Sequence, residues 1–88
     1  MKQIFNYHKT RIVLSLLENK QSYGQKISRE LGATYSNIVK NLADLESQKI
    51  IVSEKIGRVR NLKLTNKGLI IAERLKLLKE GIYGKKQQ

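Results

Sequence analysis

The sequence of 88 residues contains no cysteine, proline or tryptophan, a single histidine, and 7 acidic residues against 18 lysines and arginines. Each shortage excludes a class of chemistry. Without cysteine there are no disulfides and no thiolate metal sites, and His8 has no companions to complete a ligand set, so no metal and no cofactor is expected. The carboxylates Glu18, Glu30, Asp44, Glu46, Glu54, Glu73 and Glu80 are scattered along the chain, whereas acid–base hydrolysis needs two that face each other. Neither an activated serine or threonine nor a glycine-rich phosphate loop can be picked out. An enzyme is not expected. Long apolar runs are missing too, so no membrane partner is expected. Met1-Lys2-Gln3-Ile4-Phe5-Asn6 lacks the apolar core and small-residue cleavage site of a secretory signal, so a cytoplasmic protein is expected, nucleoid-associated if its partner is DNA.

What the sequence has in excess is positive charge. The formal net charge is +11 and the pI about 10.1, a balance that speaks about anionic partners and not about fold. The length suits one domain over 1–88. A chain this short buries proportionally little surface, which makes a partner chain worth looking for.

Asn6 can cap a first helix carrying Ile12, Val13, Leu16 and Leu17 at helical spacing. Ser22 and Gln25 have the Ser-x-x-Gln form of a capping box, opening a second helix with Tyr23, Ile27 and Leu31 on one face and Lys26 and Arg29 toward solvent. Gly32 stops it. Thr34 can cap a third helix whose inward stripe is Ile38, Leu42 and Leu45 and whose opposite face carries Ser36, Lys40, Ala43 and Ser47. Two such helices about a tight glycine turn form a helix-turn-helix, here over about 22–48. From Ile50 the period becomes two, with a break at Ile56-Gly57-Arg58 and a second run through Leu62 and Leu64. This predicts a β-hairpin over about 50–65. Thr65 then caps a last helix over about 66–83, crowded with Leu69, Ile70, Ile71, Ala72, Leu75, Leu77, Leu78 and Ile82. Ile71, Leu75, Leu78 and Ile82 follow the 4-3-4 spacing of a coiled-coil seam and are the expected homodimer interface, extended by Ile4 and Phe5, while Leu69, Ile70 and Ala72 are expected to pack on the first helix.

The stretch "LGATYSNIVKNLADLESQKII" resembles the winged helix-turn-helix transcription regulators of the MarR-like and ArsR-like kind: leucine, glycine, small cap, recognition helix, then a leucine-rich exit into a strand. The stretch "GRVRNLKLTNKG" is similar to that family's arginine-tipped wing ending in Leu-Thr-x-x-Gly. The resemblance covers nearly the whole chain. It implies an α+β, mainly α fold: three N-terminal helices, a two-stranded β wing and a long C-terminal helix. The larger members carry further helices around an effector pocket, for which this sequence has no length to spare, and a small-molecule effector is not expected. The nearest likeness is to minimal archaeal or archaeal-virus members.

In this family the first turns of the third helix enter the DNA major groove. The resemblance therefore implies base or phosphate contacts from Tyr35, Ser36, Asn37, Lys40 and Asn41, with Asn37 suited to adenine. Lys55, Arg58 and Arg60 on the wing are the minor-groove and phosphate candidates, joined by Lys63 and opposed only by Glu54. Lys26 and Arg29 are candidate phosphate contacts. Tyr7, Tyr23 and Phe5 lie near apolar stripes and are expected in the core or an interface. The expectation is a sequence-specific double-stranded DNA-binding transcriptional regulator acting as a homodimeric repressor. The alternatives are a winged-helix protein–protein interaction module, whose core would be depleted in lysine, and a non-specific chromatin-like or RNA-binding protein.

Overall fold

The computed structural model describes residues 6–81. Its elements are α1 (Tyr7–Asn19), α2 (Gly24–Leu31), α3 (Tyr35–Ser47), β1 (Ile51–Ile56), β2 (Val59–Leu64) and α4 (Asn66–Lys79). The fold is mainly helical with one two-stranded antiparallel sheet.

Local chemistry sets most of the boundaries. Asn6 caps α1 by accepting from the Lys9 amide, Thr34 caps α3 by accepting from Asn37, and Thr65 caps α4 by accepting from Gly68, each satisfying an orphan donor of the first turn. Gly32 ends α2 at φ +66, a left-handed conformation that costs glycine nothing. Ser22 does otherwise than expected. It does not cap α2; Tyr23 occupies that position without a side-chain bond. Ser22 instead forms a β-bridge with Leu62, donating its amide at 3.0 Å and accepting from the Leu62 amide at 2.7 Å. Its backbone is committed to β2, so the capping-box spacing is fortuitous, and the base of the hairpin is pinned to the start of the helix-turn-helix.

The core is built from Ile12, Val13 and Leu16 of α1, Ile27 of α2, Ile38, Leu42 and Leu45 of α3, Ile50, Ile51 and Leu62 at the hairpin, and Ala72 of α4. The strands pair from Ile51 with Leu64 to Ile56 with Val59. Gly57 and Arg58 form a two-residue turn in which only Gly57 has positive φ, as a II′ hairpin requires.

The start of α4 presses on the end of the helix-turn-helix. Thr65 Oγ1 donates to the Lys49 carbonyl at 2.6 Å, the Thr65 amide donates to the Ile50 carbonyl at 3.1 Å, and Lys67 Nζ donates to the Gln48 carbonyl at 3.0 Å. Gly68 lies so close to the Ile50 carbonyl that any Cβ would clash with it. The Leu-Thr-x-x-Gly sequence is thus a clasp: threonine ties two carbonyls and glycine permits the approach.

The inward face of α4 differs from the expected one. Gly68 and Ala72 are buried and Ile71 and Leu75 pack half-buried on the same core, whereas Leu69, Ile70, Leu77 and Leu78 are exposed. The i, i+3, i+4, i+7 set is therefore Gly68, Ile71, Ala72 and Leu75, because glycine and alanine allow the closest contact with α1 and the hairpin base. Leu69 and Ile70 do not pack on α1, and Ile71 and Leu75 are occupied within the monomer. Ile82, Ile4 and Phe5 lie outside the described residues. Tyr7 is 66% exposed, with Arg11 stacked 5.2 Å from its ring centroid, so it is not a core residue; Tyr23 sits at the margin. Among the described residues, no helix is long and apolar enough to cross a membrane.

Candidate nucleic-acid interface

The outer face of α3 is a strip of small and polar groups. Ser36, Lys40, Ala43 and Ser47 are exposed along it, with Val39 exposed beside them. Short side chains let a helix backbone come close to a partner, and Val39 and Ala43 offer apolar contacts of the kind a thymine methyl accepts. Sequence reading passed over Val39 because it belongs to neither the inward stripe nor the polar strip.

Tyr35 and Asn37 flank the strip. The Tyr35 ring lies over the first turn of α2, where a Cβ on Gly24 would meet it at 3.0 Å, and it remains 51% exposed. Asn37 is exposed at the first turn of α3. Asn41 is not a surface residue. It is 8% exposed and donates from Nδ2 to the Asn37 carbonyl at 2.9 Å and to Asn37 Oδ1 at 3.0 Å. Its place three residues after Ile38 and four before Leu45 puts it on the inward stripe, so it cannot itself reach a base. That spacing was the available signal.

Beyond Asn41, the amino end of α1 supports the flank of α3. Asn6 Nδ2 donates to Asn41 Oδ1 at 3.4 Å, and Lys9 Nζ lies 3.1 Å from Asp44 Oδ2. The Lys9 side chain is 8% exposed and that of Asp44 is 59% exposed. Lysine is seldom so buried without a partner. Here the stem fills space between α1 and α3 and the ammonium reaches out to the carboxylate.

The wing closes the other side. Directly opposed residues of an antiparallel pair share a face, so Ile51 with Leu64, Ser53 with Leu62 and Lys55 with Arg60 face the helices, while Glu54 with Asn61 and Val52 with Lys63 face away. The expected grouping of Lys63 with Lys55 and Arg60 opposed by Glu54 therefore splits across two faces. Arg60 is linked to a different carboxylate through a hydroxyl: its Nη1 donates to Ser53 Oγ at 2.8 Å, and Ser53 Oγ donates to Glu46 Oε2 on α3 at 2.8 Å. The relay ties the wing to α3 beside a groove of about 230 Å³ lined by Gly24, Tyr35, Val39, Ala43 and Arg60. Arg58 in the turn and Lys55 are exposed. Arg29 is exposed and Lys26 half-buried on the outer side of α2. Among the described residues, no three His, Asp or Glu side chains come together to hold a metal ion.

This arrangement is a winged helix-turn-helix fold. No family model and no curated protein sequence matches the chain. Solved structures do. A ZitR variant from Lactococcus lactis superposes with a TM-score of 0.81 at 26% identity, over 85% of this chain and 58% of that one, and another ZitR variant, solved in complex with DNA, gives 0.80 at 24%, over 88% and 54%. The MarR family transcriptional regulator SPO1453 from Silicibacter pomeroyi DSS-3 gives 0.80 at 17%, over 88% and 56%. AF1382 from Archaeoglobus fulgidus gives 0.82 at 22%, over 92% and 93%. The chain spans little more than half the length of the ZitR structures it matches and nearly all of AF1382.

Proposed function

We propose that this chain is a sequence-specific double-stranded DNA-binding transcriptional regulator, acting as a homodimeric repressor. The observation that carries the reading is the exposed α3 strip of Ser36, Val39, Lys40, Ala43 and Ser47, together with exposed Lys55 and Arg58 on the wing, in a chain of net charge +11. Tyr35, Ser36, Asn37 and Lys40 are the proposed base and near-base contacts. Arg58 and Lys55 meet the flanking groove, and Lys26 and Arg29 hold phosphates. Arg60 belongs to the wing's own scaffold. The same fold in a ZitR variant solved in complex with DNA supports the assignment. Exposed Leu69, Ile70, Leu77 and Leu78 on α4 are the proposed contact between two copies.

Selection of bound sites from a random duplex pool tests the proposal. An enriched palindrome is the expected outcome. Equal binding to every duplex, or preference for RNA, would replace it with the non-specific reading. Loss of all duplex binding at moderate salt would favour a protein-interaction module.

A further inference from the structure

We propose that Asn41, a residue that cannot itself touch DNA, sets which way round the Asn37 amide faces the groove, so that Asn37 reads the acceptor edge of guanine and not adenine. The inference rests on the DNA-binding reading above.

An amide side chain has one accepting and one donating end, and which end points where is decided by partners that can play only one role. Three amides here stand in a row between two such partners. At one end the Lys9 backbone amide can only donate, and it bonds Asn6 Oδ1 at 2.8 Å. Asn6 must then turn Nδ2 toward Asn41, which receives it on Oδ1 at 3.4 Å, the longest link of the row. Asn41 is left with Nδ2 toward Asn37. At the other end the Asn37 carbonyl can only accept, and it takes the same Nδ2 at 2.9 Å. Both ends therefore impose one polarity, and the weak middle link is not needed to define it.

The last amide takes its orientation from Asn41. Asn41 Nδ2 also donates to Asn37 Oδ1 at 3.0 Å, which holds the oxygen of Asn37 toward Asn41 and leaves its Nδ2 to donate elsewhere. An Asn–adenine pair needs Oδ1 to accept from N6 and Nδ2 to donate to N7. Guanine presents only acceptors, N7 and O6, along the same edge, and a single outward NH2 can serve both. Burial of Asn41 shields its bonds from competing water, so the orientation is set before DNA arrives.

The experiment is site selection from a random duplex pool with wild type, Asn37→Ala, Asn41→Leu and Asn41→Asp, with thermal unfolding of each protein alongside. The position that loses preference in Asn37→Ala is the one Asn37 reads. Wild type is expected to favour guanine over adenine there by about tenfold, the scale of one good base contact. Asn41→Leu frees the Asn37 amide to turn, and the two purines should then differ by no more than about twofold to threefold, other positions keeping their preference. Asn41→Asp is isosteric but only accepts, so it should draw Asn37 Nδ2 inward and shift the preference to adenine. Adenine preference in wild type would overturn the inference without any Asn41 variant, and so would a folded Asn41→Leu or Asn41→Asp with unchanged preference. A purely structural Asn41 would lower the unfolding temperature and leave the base preference alone. No motif from wild type would overturn the sequence-specific reading and the inference with it, whereas a motif insensitive to Asn41 overturns the inference only.

Discussion

Gly68 sits where α4 crosses the Ile50 carbonyl, and no side chain fits between them. Gly68→Ala would ordinarily help a helix by removing glycine's backbone freedom. Here the added methyl must push α4 off the clasp formed by Thr65 and Lys67, and overpacking of this kind costs about 3 kcal/mol. Urea unfolding should show that loss; an unchanged midpoint would mean that α4 can shift without strain. The Lys9–Asp44 pair offers a second single-residue test through its asymmetry. Asp44→Ala strands a lysine that is nearly buried, and after discounting for the exposed carboxylate it should cost about 2 kcal/mol. Lys9→Met fills the same space without a charge and leaves only a solvated carboxylate, so stability should stay within about 0.5 kcal/mol. Equal losses for the two variants would deny that burial of the lysine side chain sets the difference.

The separation of roles along the wing comes from register. Arg58 lies in the turn and is exposed, while period two puts Arg60 on the inner face, where Ser53, itself bonded to Glu46, holds it. Arg58→Ala should weaken binding to cognate and random duplex alike and lower the log–log salt slope by about one per subunit, since each phosphate contact contributes about 0.9. Arg60→Ala should instead loosen the hairpin, seen as faster amide hydrogen exchange in β2, with a smaller change in slope. Matching effects of the two changes on slope and exchange would erase the distinction.

These elements also show what a linear sequence carries and what it does not. The caps Asn6, Thr34 and Thr65, the Gly32 stop and the hairpin break at Gly57 were legible because each acts on residues within one turn of itself. Ser22 was misread because its partner is Leu62, distant in sequence and brought near only by folding. Asn41 was misread because residue type was allowed to outweigh spacing: the amide looked like a reader, yet its interval from Ile38 and Leu45 is that of the buried stripe. On α4, regular 4-3-4 spacing suggested a seam through Ile71 and Leu75, but Gly68 and Ala72 decide the inward face by allowing close contact. The Glu46–Ser53–Arg60 relay joins three elements and had no local signature at all.

At the scale of the whole molecule two quantities remain unbalanced, a net charge of +11 and two pairs of apolar side chains on α4, Leu69 with Ile70 and Leu77 with Leu78, that the monomer leaves exposed. In the proposed dimer a second copy would cover these side chains and double the charge presented to a duplex. Leu77 and Leu78 are 68% and 62% exposed, and Leu69 and Ile70 are exposed two turns nearer the start of the helix, with the exposed pair Glu73 and Arg74 between them. A two-fold axis through this face would make the contact self-complementary, and would place the two α3 strips about 34 Å apart if they occupy successive major-groove turns. Leu77→Glu combined with Leu78→Glu should therefore yield a folded monomer that binds half-sites weakly. Leu75→Glu, which charges the monomer's own core, should unfold it instead of merely dissociating it. Sedimentation at tens of micromolar with far-UV circular dichroism separates the outcomes. A wild type that sediments as a monomer, or a double variant that stays dimeric, would move the interface away from α4.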